Sequence, residues 1–122
     1  MADTNGIAGA SNNLKMITAI VQRGKAEKPV SAALEAGAPA ATVFFGRGSG
    51  IRERLGLLGL AIQPEKEVIM IVVEERLLPQ VLRAMVRAGN LDQPGVGFLF
   101  VTAVEYAVGH LDASDMLAQE AP

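Results

Sequence analysis

Apolar residues along this chain fall into short blocks separated by glycine, proline and charged residues, and the blocks alternate between two periods. Met16-Ile17-Thr18-Ala19-Ile20-Val21, Ala40–Phe45, Val68–Val73 and Phe98–Val104 are short runs rich in β-branched and aromatic side chains, as expected of buried strands. Between the first two runs, Pro29 suits the first turn of a helix. Val30, Ala33, Leu34 and Gly37 follow helical spacing, with Gly37 as the stop. Between the last two runs, Leu77, Val81, Leu82, Met85 and Val86 repeat that spacing over Glu74–Ala88, and Gly89-Asn90 supply the cap. A strand–helix–strand unit therefore occurs over residues 15–47 and again over 67–104. The order βαββαβ predicts an α+β ferredoxin-like sandwich, an antiparallel sheet with two helices on one face.

The two halves are joined by a loop of roughly twenty residues, Arg47–Lys66, and loops of that length inside a compact domain are usually functional or disordered. Gly46-Arg47-Gly48-Ser49-Gly50 is expected to stop the second strand, Ile51–Leu58 to form a helical turn or two, and Gln63-Pro64-Glu65-Lys66 to turn into the third strand. The opening MADTNGIAGASNN is small and polar and cannot offset its ordering entropy. Residues 1–14 are thus expected to be a mobile tail, 15–110 the folded domain and 111–122 a C-terminal tail.

Composition narrows the function classes. The chain has 122 residues, half of them hydrophobic, enough for one domain with its own core. Without cysteine there is no disulfide framework, thiol nucleophile or thiolate metal site, in keeping with a cytoplasmic protein. A net charge of −2 gives no general attraction to nucleic acid or anionic lipid. The apolar runs are too short to span a bilayer, and residues 1–13 lack the features of a secretory signal. The single histidine, His110, reads as a solvated tail residue, and no serine or lysine has an evident base beside it, so no enzyme and no metal site are expected. Glu74 and Glu75 read as charges favoured at a helix start.

Two glycine clusters remain. In Gly46–Gly50, glycines let backbone amides turn toward an anion, and Arg47 and Arg52 add positive charge. The alternative is an ordinary flexible loop base; the spacing is not that of a Walker loop. The second cluster, Gly89 to Gly97, precedes the last strand in the other half of the chain.

In order and spacing, KMITAIV, ALEAG, AATVFFGRGSG, EVIMIVV and RAGNLDQPGVGFLFVTAVE resemble the PII signalling family over about Lys15 to Val104. That resemblance implies a homotrimer that binds an adenine nucleotide (ADP, AMP or ATP, with or without Mg) in clefts between subunits. Through the long loop it would regulate a partner such as a membrane transporter or an enzyme. It places the adenine against Ile20, Gly48 and Val72, with Ala40, Ala41 and Thr42 from the adjacent subunit. Gly95, Val96 and Gly97 would lie along the ribose and phosphates, with Arg47, Gly50 and Arg52 at the loop base. Without the resemblance, Ile20, Thr42 and Val72 read as strand residues facing a core or an interface.

The chain departs from the family where charge is held. The usual cation of the second glycine loop aligns with Val96 or Gly97, and the paired C-terminal arginines align with Val108 and His110. Only Arg47, Arg52 and Arg54 are near enough in sequence to replace them, so ADP or AMP is expected to fit better than ATP. Glu53 stands where nitrogen-sensing members carry a glutamine and would repel a dicarboxylate, and the loop has no tyrosine to be uridylylated. Arg54, Leu55, Leu57, Leu58 and Leu60 either dock a partner or fold back to seal the trimer. The alternative function is a ferredoxin-like scaffold that has lost its ligand site. Nucleic-acid binding on the sheet is disfavoured, since the chain lacks a basic-aromatic strand motif.

Overall fold

The computed structural model describes residues 10–11, 13–48 and 65–109. Its centre is a four-stranded antiparallel sheet of β2 (Leu14–Gln22), β3 (Thr42–Arg47), β4 (Glu65–Glu74) and β5 (Gly97–Val104), ordered β3-β4-β2-β5. Helix α1 (Glu27–Glu35) follows β2, and α2 (Leu78–Gly89) follows β4 through the 3-10 turn Glu75–Leu77. This is the expected α+β ferredoxin-like arrangement, with the helices packed on each other and on one face of the sheet.

The period of two along the strands makes that core. Ile17, Ala19 and Val21 of β2 alternate in phase with Ile69, Ile71 and Val73 of β4, and all six are buried. Above them lie Pro29 and Ala33 of α1 and Val81 and Met85 of α2, with Leu99 and Val101 of β5 packed alongside. Helix α1 ends as its glycine predicts: Gly37 has φ +116°, in the left-handed region. At the end of α2 the left-handed residue is Asn90 (φ 52°), and the Leu91 N–H returns to the Val86 carbonyl at 3.0 Å.

Strand ends differ from the sequence expectation. Gly46 and Arg47 continue β3 opposite Lys66 and Glu65, where a stop and a turn were expected. Pairing across the ladder outweighs the local turn propensity of these residues. Conversely, Ala40 and Ala41 lie before β3 rather than in it, and Glu74 ends β4 instead of opening a helix.

The expected mobile tail of residues 1–14 is also too long. Leu14 is buried and opens β2, and β1 (Ala10–Ser11) pairs with β6 (Ala107–Val108). Ser11 opposes Ala107 and Ala10 opposes Val108 in the register that already pairs Leu14 with Val104, so β1 and β6 prolong the β2–β5 ribbon. The cross-strand bonds supply what the small polar side chains lack. The expected C-terminal tail, 111–122, lies outside the described residues, as does Ile51–Leu58. No helix among the described residues is long and apolar enough to cross a membrane.

Gly97 opens β5 where two chains nearly touch. A Cβ there would stand 2.9 Å from the Ile20 carbonyl oxygen and 3.0 Å from Leu91 Cδ2. Backbone cannot yield as a flexible side chain can, so Gly97→Ala is expected to destabilise the fold by about 1–3 kcal/mol, read from the urea midpoint.

Candidate functional site

The second face of the sheet carries no helix among the described residues, yet it is apolar. Register places Phe44, Val68, Ile20 and Phe98 in one row across all four strands. The next row is Thr42, Met70, Thr18 and Phe100, and the one after it runs through Val72, Met16 and Thr102. Phe44 and Phe98 are 45% and 63% exposed, and the Phe98 and Phe100 rings lie 5.9 Å apart. An antiparallel sheet that faces water normally alternates polar residues onto that side; in these three rows only Thr42, Thr18 and Thr102 are polar, and none is charged. The rings were missed as site residues because Phe98–Val104 and Ala40–Phe45 read as buried strands. The signal was consecutive apolar residues such as Val43-Phe44-Phe45, which load both faces of a strand at once.

Among the residues expected to hold the nucleotide, Ile20, Thr42 and Val72 share this open face. Ile20 opposes Val68, four residues before Val72 on β4, so the two stand about 13 Å apart along the strand and cannot flank one ring within a single chain. Gly48 follows the end of β3, and Ala40 and Ala41 lead into its start. Gly95 and Val96 form turns before β5, where the Val96 N–H is already donated to the Gln93 carbonyl at 3.3 Å. Gly97 opposes Val21 and so belongs to the helix-bearing face. Arg47 also departs from the group: it opposes Glu65, in phase with Phe45, Glu67 and the buried Val21, which puts it on the helix-bearing face. Gly50, Arg52, Arg54, Leu55, Leu57, Leu58, Leu60 and His110 lie outside the described residues.

On the helix-bearing face, the start of β4 is tied to the turn that follows β2. Glu67 Oε1 accepts hydrogen bonds from the Gly24 N–H at 2.6 Å and the Ala26 N–H at 3.2 Å, satisfying amides ahead of α1. Two residues earlier, Glu65 Oε2 meets Arg23 Nη1 at 3.0 Å. Both strands that bound the long loop are thus anchored: β3 by the ladder and β4 also by these carboxylates. A cleft of about 760 Å³ runs along α1 between Lys25, Lys28 and the Gly89-Asn90 end of α2. Glu27 and Glu35 in its walls offset the two lysines.

The family model of nitrogen regulatory protein P-II matches residues 14–110. Among solved structures, that of Arabidopsis thaliana PII bound to citrate is similar, with a TM-score of 0.59 and 22% identity over 78% of each chain. No curated protein matches the chain.

Glu67 was not singled out in the sequence, because its role depends on a contact over more than forty residues of chain. Glu67→Ala is expected to lower stability by about 1 kcal/mol. It should also raise amide exchange at Gly24 and Ala26 ahead of the rest of β2.

Proposed function

The chain belongs to the nitrogen regulatory protein P-II family, and on that footing we propose that it is a homotrimeric regulator that binds an adenine nucleotide between subunits and controls a partner through its long loop. The observation that carries this reading is the open apolar face. Second copies of the chain would cover the row Phe44–Val68–Ile20–Phe98, and burial contributes about 25 cal/mol per Å² of apolar surface removed from water. Ile20 and Val72, too far apart within one chain, would meet a single ligand as Ile20 of one subunit and Val72 of its neighbour.

The phosphate side of that cleft is poor in cations. Val96 or Gly97 stands where the family carries a basic residue, and Arg47 lies on the other face of the sheet. A nucleotide with fewer phosphates needs less compensation, so ADP or AMP is favoured over ATP. Nucleotide and partner act together by population shift: the ligand favours one loop state and the partner recognises it. Nothing in this mechanism requires a catalytic group, and a cytoplasmic regulator of a transporter or an enzyme fits it. Nucleic-acid stacking on Phe98 and Phe100 is the weaker use of the same face, since the chain is acidic overall and lacks a basic-aromatic strand motif.

Calorimetric titration with ATP, ADP, AMP and cyclic AMP, with and without magnesium and with 2-oxoglutarate or bicarbonate added, is the test. We expect saturable binding near one site per chain, tighter for ADP or AMP than for ATP. Gly48→Asp should abolish it while leaving the oligomer intact. Absence of binding to every nucleotide would replace this reading with a trimeric scaffold that has lost its ligand site.

A further inference from the structure

We propose a second ligand site, for a small carboxylate with an apolar flank, on the helix-bearing face at the base of the long loop. It is formed by Arg23, Arg47 and Phe45, is independent of the nucleotide reading, and lies on the opposite side of the sheet from Ile20, Thr42 and Val72.

Arg23, Phe45, Gly46, Arg47 and Glu65 line a cleft of about 420 Å³, a volume within the range of small-molecule sites. Two guanidinium groups face one carboxylate. Arg23 is held by Glu65 at 3.0 Å, whereas Arg47 makes no ion pair with any described residue. Phe45 is 66% exposed, the most exposed ring among the described residues, and stands in phase with Arg47 on the same face. One positive charge is therefore left over beside a bare aromatic surface.

That combination selects its ligand. A planar carboxylate matches the guanidinium fork with two parallel hydrogen bonds, and an apolar group next to it covers Phe45. Phosphate fits the same fork but brings no apolar group, so it leaves Phe45 uncovered.

The site's position gives it a consequence. Arg47 ends β3 and Glu65 begins β4, so they are the residues from which the loop departs and to which it returns. A bound carboxylate competes with Glu65 for Arg23 and frees Glu65, the residue to which the loop returns, while Glu67 keeps its hold on Gly24 and Ala26. Occupancy is thereby coupled to the loop base from the face away from the intersubunit cleft.

The probe is benzoate, with acetate and inorganic phosphate as comparisons at matched ionic strength, followed through the arginine Nε–H and Phe45 ring signals in NMR. We expect saturable shifts of Arg23, Arg47 and Phe45 with benzoate and a weaker response to acetate. Arg47→Gln, an exposed substitution at a strand end, should weaken benzoate about tenfold, the loss of one charge-assisted contact. Glu65→Gln, which removes the competing carboxylate, should tighten it. Phe45→Ala should erase the preference for benzoate over acetate while retaining the acetate response. Shifts that rise linearly with concentration, that are equal for all three anions, or that survive Arg47→Gln would overturn the proposal. So would saturable binding of a glutamate-rich peptide with no response to benzoate, which would assign the cluster to a protein partner.

Discussion

Everything in this fold turns on a sheet that is apolar on both faces and that, among the described residues, has helices for only one of them. Beneath α1 and α2, Ile17, Ile69, Ile71 and Val73 are sealed from water. On the reverse, Ile20, Val68, Met70 and Val72 are only partly covered, and phenylalanines stand exposed on both edge strands, Phe44 on β3 and Phe98 on β5. Chains manage exposed edges and faces by charge, by bulges or by covering them. Here the charge is absent from the centre of the face, which leaves covering. The same requirement bears on the proposed ligand site between subunits: Ile20 and Val72 lie about 13 Å apart along this face, more strand length than one chain can fold around a ligand.

The opposite face handles the long loop. Arg23, Gly24 and Ala26 form a single anchoring turn, and both carboxylates that reach it, from Glu65 and Glu67, belong to the first residues of β4. The Glu67 bonds are charge-assisted and partly shielded. The Arg23–Glu65 pair is exposed, and such pairs contribute little net stability. A weak ion pair at that point is easily exchanged for another, which is the property a regulatory loop base needs. The face proposed to assemble the protein and the face that anchors its loop are therefore distinct, joined through β2 and β4.

Much of this was legible in the sequence. Runs such as Val68–Val73 and the spacing of Leu77, Val81 and Met85 located the strands and helices, because period is a local property. Facing was less legible, because it depends on register between strands far apart in the chain. Arg47 was grouped with the anion-binding residues by its place in the Gly46–Gly50 run, and one residue of phase sends it to the side of the sheet away from Ile20 and Thr42. Glu67 looked like an ordinary strand-end charge, since nothing in its own neighbourhood reveals the amides of Gly24 and Ala26. The pairing of Ala10–Ser11 with Ala107–Val108 was hidden for the same reason: two-residue strands carry no periodic signal until a partner strand is known. The match of the family model to residues 14–110 agrees with the reading of the chain's order and spacing.

The central claim is that second copies of the chain cover the open face, and sedimentation velocity on the unliganded protein tests it most directly. The account predicts one species of about three times the 12.8 kDa of a single chain, persisting at micromolar concentration and shifting toward monomer when Phe98 is replaced by glutamate. A stable monomer under the same conditions would contradict it.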